Sequence, residues 1–213
     1  MLTSCRWWLG SLVSAGALLS ATSALSQPLA PLAELSASDR EALLAGERVE
    51  RPLRFATRRG SYVGGLSYQL VRARPEEVLT ALQDVRQLPE LLPRTKAARW
   101  VGVSEGRARI ELTQGNGLLA ARYTLQLERS AGRDELRFWL DRRAPSDIRD
   151  VWGYFRVEEH VRGRSLLTVA VALDLGPGLA RALFEDKVQG VLLGSVTKIR
   201  DFMEPSRVAE VGY

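Results

Sequence analysis

The chain contains very little of two residue types on which much enzyme chemistry depends. Among its 213 residues there are 1 Cys and 1 His. One cysteine excludes an internal disulfide and a zinc site built from several thiolates, and one histidine excludes metal sites that need several imidazoles. A glycine-rich phosphate-binding loop is also missing. The sequence therefore indicates no catalytic residue, no metal site and no cofactor.

Beyond the N-terminal region the chain has neither an apolar run long enough to span a bilayer nor a block of like charge. Lys and Arg number 30 against 25 Asp and Glu, and the signs are interleaved, as at Glu128–Arg129. A basic chain without a basic block predicts no nucleic-acid partner. The apolar fraction of 46% is typical of a globular chain that buries a core.

The N-terminal region has the pattern of a secretory signal. Arg6 precedes an apolar stretch at 9–19, and small residues follow at Ala24–Ser26. This order predicts a signal peptide over 1–26 that is cleaved near Ser26–Gln27. The mature chain would then be periplasmic or secreted. The alternative is an N-terminal segment that is retained as an anchor.

Residues 27–59 are expected to form a tether and one short helix ahead of the main domain. The tether is rich in Pro and Ala. Ser38 and Glu41 have the spacing of a capping box, and Gly46 marks the end of the helix. The main domain is predicted over 60–205, followed by a C-terminal tail at 206–213.

The main domain begins with a strand and two short helices. Leu66, Tyr68 and Leu70 alternate with polar residues, which indicates a half-buried strand. A helix starts at Pro75, where proline is allowed, and a second short helical turn covers 88–92.

Six more strands follow, joined by short turns. Each shows apolar residues at every second position, which favours an antiparallel sheet with one apolar face. The strands are predicted around 100–103, 108–112, 123–127, 136–140, 153–157 and 167–173.

A single long amphipathic helix is predicted over 179–203. Apolar residues such as Val188, Leu192 and Ile199 recur there at helical spacing, while Lys187 and Lys198 argue against a membrane span. This helix would cover the apolar face of the sheet.

This order of elements resembles the START-like superfamily, also called SRPBCC, which includes polyketide cyclase-like and coenzyme Q-binding proteins. Four stretches carry the resemblance: 71–78, 88–93, 153–157 and 174–178. The segment at 43–47 is similar to an extension found in exported bacterial members. The resemblance implies an α+β helix-grip fold, in which a curved antiparallel sheet of about seven strands wraps around the C-terminal helix. It also implies an apolar cavity that binds a hydrophobic small molecule.

Candidate ligand-binding residues are those expected to point into this cavity. From the sheet and the helix, respectively, they are Tyr68, Tyr123, Leu125, Phe138, Phe155, Val169 and Val171, and Phe184, Val188, Val191, Ser195 and Ile199. Each of them could equally fill an ordinary core.

The polar members of this set suggest specific contacts. A phenol on an apolar face needs a hydrogen-bond partner, so Tyr68 and Tyr123 could bind a ligand carbonyl or a backbone carbonyl. Ser195 could touch a ligand head group, or it could bond to the carbonyl four residues earlier in its own helix.

Two loops could flank the cavity. Gly115–Leu119 would place Leu118 and Leu119 at a loop tip, as a lid or a finger in transient contact with a membrane surface, unless these leucines begin the next strand. The acidic and basic residues of 141–150 are interpreted as a charged loop that could select a polar head group.

Three functions fit these observations. The first is an exported carrier or sensor of a lipid, quinone or polyketide-like molecule. The second is a cavity enzyme of the polyketide cyclase or dehydratase type, which would need a buried ionisable group beside Tyr68 or Tyr123. The third is an interaction module whose cavity has collapsed.

Overall fold

The structure is a computed structural model that describes residues 35–116, 120–130, 132, 134–177 and 179–204, with the backbone alone for 179–184. It has the predicted α+β architecture, with one antiparallel sheet and a C-terminal helical region. The helices are α1 (Ala37–Leu44), α2 (Pro75–Gln83), α3 (Leu88–Leu91), α4 (Leu179–Leu193) and α5 (Ser195–Met203). The strands are β1 (Val49–Thr57), β2 (Gly60–Val71), β3 (Thr95–Ser104), β4 (Arg107–Gly115), β5 (Ala120–Arg129), β6 (Glu135–Leu140), β7 (Asp150–Val161) and β8 (Arg164–Asp174).

The described strands form one sheet in the order β1-β2-β8-β7-β6-β5-β4-β3, and every neighbouring pair is antiparallel. This is eight strands where about seven were predicted. The additional strand is β1, which lies in the stretch 27–59 assigned to the tether and short helix. The residue pattern of β1 did not indicate a strand, because β1 is an edge strand that is exposed along nearly its whole length and contains Pro52.

The two faces of the sheet are covered differently. The face that carries Phe155, Val169 and Val171 is called the inner face. These residues belong to the main hydrophobic core, together with residues of α2, α3 and α5. We call outer the opposite face, on which α1 packs. Leu43 of α1 makes a small separate core there with Leu70 and other residues of the outer face.

The N-terminal cap of α1 lies two residues before the predicted one. The Ser36 Oγ accepts a hydrogen bond of 3.1 Å from the backbone N–H of Asp39, so Ser36 rather than Ser38 is the cap. The helix ends, as predicted, before Gly46, whose φ of 87° is in the left-handed region that favours glycine.

The C-terminal region crosses the inner face as two helices instead of one. The helices α4 and α5 meet at Gly194, where the backbone hydrogen bond from the Lys198 N–H to the Gly194 carbonyl stretches to 3.4 Å. Glycine is a poor helix former, which accounts for the break at this position. Both helices contact β2, at one side of the sheet. No helix in the described part of the chain is long and apolar enough to cross a membrane.

Gln189 fastens α4 to this side of the sheet. Its Nε2 donates to the carbonyls of Leu53, at 3.1 Å, and Gly64, at 2.8 Å, and its Oε1 accepts two hydrogen bonds from Arg54. One buried side chain therefore joins the helix to β1 and β2 at once.

The buried carboxylates of the sheet face outward and pair with arginines. The pairs are Glu135 with Arg137 and Arg156, Asp141 with Arg109, Asp150 with Arg142, and Asp174 with Arg149. Asp141 also accepts hydrogen bonds from Gln126 Nε2 and the Arg143 N–H, each at 3.1 Å. Burial works to raise the pKa of Asp141, but these hydrogen bonds and the charge of Arg109 outweigh it and hold that pKa below its usual value.

We expect Gln189→Leu to lower the free energy of unfolding by about 1–3 kcal/mol, because two carbonyls lose a donor and the Arg54 guanidinium loses one of its two partners. Urea denaturation followed by circular dichroism measures this. The matched control is Asp186→Asn on the same helix. Asp186 pairs with Arg54 but is 85% exposed, so we expect a change below about 0.5 kcal/mol. Equal losses in the two variants would contradict the role of Gln189.

The lowered pKa of Asp141 predicts how stability depends on pH. The carboxylate stabilises the fold above the ordinary aspartate range, and this contribution is lost as the pH falls through its lowered pKa. Asp141→Asn should therefore be less stable than the wild type at about pH 7, and the difference should shrink towards about pH 2. Denaturant titrations across this range test it, with Asp201→Asn, an exposed carboxylate, as the control. A difference that does not vary with pH would show that Asp141 acts without its charge.

Candidate functional site

Most of the predicted site residues come together in the main core on the inner face of the sheet. Six residues of the strands lie on the inner face in the main core, and they are Tyr123, Leu125, Phe138, Phe155, Val169 and Val171. Ile199 of α5 is fully buried in the same core, and Val188 of α4 packs against it.

Tyr68 does not belong to this group. It is paired with Thr168, and it packs with the small core beneath α1 on the outer face. The prediction that Tyr68 points towards the C-terminal helix is therefore wrong. The apolar alternation in β2 is covered by α1, while its polar neighbours Ser67 and Gln69 are the residues that face inward. Gln69 is satisfied there, because its Nε2 donates to the Gly46 carbonyl at 3.0 Å.

The remaining helix candidates have different surroundings. Val191 is half-buried and lies outside the main core. Ser195 is buried, and its Oγ donates a 2.6 Å hydrogen bond to the Leu192 carbonyl three residues earlier. The hydroxyl thus bonds to a preceding helical carbonyl, as the alternative held, but the acceptor lies three residues earlier, in the last turn of α4. The side chain of Phe184 lies outside the described residues.

Part of the inner face keeps some residual exposure to solvent. Side chains near α2 and α5, such as Leu79, Val157 and Ile199, have an exposed fraction of zero. A second group of side chains on the inner face has an exposed fraction between 6% and 9%. Side chains in a close-packed interior touch no water-sized space, so this second group is partly open to solvent on the inner face. We call the partly open surface that these side chains share the inner crevice, and its residues are Tyr123, Leu125, Leu127, Phe138, Leu140, Phe155, Val171 and Leu173.

Two phenylalanines form the centre of the inner crevice. The rings of Phe138 and Phe155 are tilted against each other, with their centroids 5.2 Å apart. Gly153 lies opposite Phe138 on the neighbouring strand, and a Cβ there would come within 2.6 Å of the Phe138 ring. The glycine therefore allows the ring to lie close to the sheet.

One end of the inner crevice is polar. The Tyr123 hydroxyl donates to Gln114 Oε1, and Gln114 Nε2 donates to Thr95 Oγ1 at 2.7 Å and to the Pro93 carbonyl at 3.3 Å. Burial raises the pKa of Tyr123, which keeps the phenol neutral. Gln114 and Thr95 were not among the predicted site residues. Their signal is the register, which places Gln114 opposite Thr95 at the end of the inner face.

The carboxylates of the charged loop predicted over 141–150 bond to residues on the outer face and at the ends of the strands. Asp141 and Asp150 are paired as described above, and the Asp147 carboxylate accepts a 2.8 Å hydrogen bond from the Arg122 N–H. The predicted loop tip Gly115–Leu119 is described only to Asn116, so Leu118 and Leu119 lie outside the described residues.

The inner crevice offers little acid–base or metal chemistry. Each of the buried carboxylates in the described residues faces outward, and Tyr123 is the ionisable group among the residues that line the inner crevice. No group of three or more metal-binding side chains occurs in the described parts of the chain. The arrangement is suited to binding an apolar molecule with a polar group at one end.

Comparison with known proteins shows which fold this is. No protein-family model matches the chain, and no curated protein matches it in sequence. Solved structures do match. One is a START superfamily protein from Mycobacterium smegmatis, with 13% identity and a TM-score of 0.55 over 65% of this chain and 95% of that one.

Two further structures match over more of this chain. A fragment of a STAR-related lipid transfer protein from Xanthomonas axonopodis has 11% identity and a TM-score of 0.55, over 73% of this chain and 98% of that one. The Zhui aromatase/cyclase from Streptomyces sp. R1128 has 14% identity and a TM-score of 0.52, over 78% of this chain and 100% of that one. The chain therefore has the START-like helix-grip fold that its order of elements predicted.

Proposed function

We propose that this protein is an exported carrier or sensor that binds one hydrophobic small molecule in the inner crevice. The observation that carries the proposal is the residual exposure of apolar inner-face residues around Phe138, Phe155 and Val171. A molecule that fills the inner crevice would remove its own apolar surface and theirs from water, at about 25 cal/mol per Å².

The structural relatives support this reading. Among the proteins with the same fold are a lipid transfer protein and an aromatase/cyclase. By their names, these act on lipids or on cyclising substrates. A lipid, a quinone or a polyketide-like molecule is therefore the class of ligand we propose for this chain.

The polar end of the inner crevice would orient the ligand. The Tyr123 hydroxyl is occupied as a donor by Gln114, but its oxygen retains the capacity to accept a hydrogen bond. A ligand hydroxyl placed there would bond to the phenol, while the rest of the molecule lies along the apolar lining. Because a neutral Tyr123 cannot act as a general base, and the other side chains of the inner crevice are apolar, we favour a carrier over the cyclase-type enzyme.

Export would explain why the ligand needs a carrier. The N-terminal pattern of 1–26 supports a periplasmic or secreted location. An apolar molecule that crosses an aqueous compartment must be shielded from water, and loading would require transient contact with a membrane surface.

The test is to fill the inner crevice. Val171→Phe should weaken binding of a dansylated fatty acid by about tenfold or more, because the added ring takes the space of the ligand. Fluorescence titration measures the affinity, and circular dichroism confirms that the variant is folded.

The matched control is Val103→Phe, the same substitution at an edge-strand position that is 64% exposed. We expect its affinity to equal that of the wild type. Unchanged affinity in folded Val171→Phe would place the ligand elsewhere. A wild-type protein that takes up no fatty acid, quinone or polyketide would contradict the proposed function itself.

A further inference from the structure

A second concave site lies on the outer face of β6 and β7, on the other side of the sheet from the inner crevice. It is an open groove with a volume of about 310 Å³. This volume is at the lower end of the range for pockets that bind small molecules. We call it the outer groove, and the side chains that characterise it are Glu135, Arg137, Trp139, Trp152, Tyr154 and Arg156.

The outer groove presents two indole rings. Trp139 and Trp152 lie directly opposite each other on paired strands. Trp152 is 45% exposed. Large aromatic side chains that remain exposed in a concave site are typical of a surface that binds another molecule.

Neighbouring side chains hold both indoles in place. The Trp152 ring lies 6.4 Å from the ring of Phe55 and 6.4 Å from that of Tyr62, whose hydroxyl donates to Asp150 at 2.7 Å. The Arg107 guanidinium lies 5.2 Å from the centre of the Trp139 ring. Rings that are already fixed lose little freedom when a ligand stacks on them.

The charge of the outer groove is positive. Glu135 is 1% exposed and accepts hydrogen bonds from Arg137 Nε at 2.6 Å, Arg156 Nε at 2.9 Å and Arg156 Nη2 at 2.7 Å. Two cations thus share one carboxylate. In the described residues, the hydrogen bonds of both guanidiniums go to Glu135, which leaves both Nη groups of Arg137 and the Nη1 group of Arg156 as donors.

These two features together define the chemistry of a ligand. A planar ring can stack on an indole, and a guanidinium with free N–H groups recognises a carboxylate by parallel hydrogen bonds. We propose that the outer groove binds a small planar aromatic carboxylate, with its ring against Trp139 and Trp152 and its carboxylate on Arg137. This site is independent of the inner crevice and of the proposed carrier function.

The experiment uses the full chain with Trp7, Trp8 and Trp100 replaced by Phe. Since the chain has 5 Trp, these changes leave Trp139 and Trp152 as its tryptophans. Labelling with fluorotryptophan then gives two fluorine NMR signals, both from the outer groove. Titration with naphthoate should shift both signals saturably, and calorimetry should show one site per chain.

Two further probes separate the ring from the charge. Naphthylmethanol keeps the ring without the anion, and cyclohexanecarboxylate keeps the anion without the aromatic ring. Each should bind at least about tenfold more weakly than naphthoate, because each makes only part of the contact. Equal binding of naphthoate and naphthylmethanol, or signals that do not move, would overturn the proposal.

Variants locate the two contacts. Arg137→Gln should weaken naphthoate binding by about tenfold and leave naphthylmethanol binding unchanged. The control is Arg99→Gln, which removes an exposed arginine paired with Glu111 elsewhere on the sheet and should change neither. If Arg137→Gln does not fold, Trp152→Leu at an exposed position tests the same site through the ring. Full naphthoate affinity in Trp152→Leu would contradict the proposal.

Discussion

The eight-stranded sheet is much wider than the C-terminal helices that pack on its inner face, and this difference in width determines the architecture. Eight paired strands span roughly 34 Å when laid flat, whereas a helix with its side chains is only about 10–12 Å across. The helices α4 and α5 lie over β2 at one side of the sheet, where Gln189 fixes α4 to β1 and β2. The other inner strands must be covered by curvature, by α2 and α3, and by whatever fills the remaining gap. The inner crevice follows from this mismatch in width.

The sorting of polar groups between the two faces reinforces that result. Buried carboxylates such as Glu135 and Asp141 lie on the outer face, where arginines pair with them, and the inner face keeps its apolar lining with Tyr123 at one end. One side of the sheet is therefore mainly apolar, and the other carries the paired charges. The same alternation along each strand creates both environments, because neighbouring residues point to opposite faces.

The sequence predicted the order of elements well, because seven of the eight strands carry a clear apolar alternation and the helices are marked by Pro, Gly or capping residues. It also placed Phe138, Phe155 and Val171 on the correct face. It failed at β1, whose residues are exposed on both sides, and at Tyr68, where the apolar alternation of β2 packs under α1 instead of the C-terminal helices. In both cases the deciding fact is which element covers a strand, and this depends on contacts distant in sequence.

The polar end of the inner crevice could not be predicted from the sequence, because it also depends on contacts between residues distant in sequence. Gln114, Thr95 and Tyr123 come from three different strands and meet only through the register of β3, β4 and β5. The break at Gly194 was visible as a glycine in a helical pattern, but the pattern did not show that the helix would divide there.

Native mass spectrometry of the protein purified from a bacterial host that exports it, combined with extraction of bound lipids, tests the central claim most directly. We expect one apolar molecule per chain, released on unfolding and displaced by an added fatty acid or quinone. A bare protein mass, unchanged after incubation with lipids, quinones and polyketides, would contradict it.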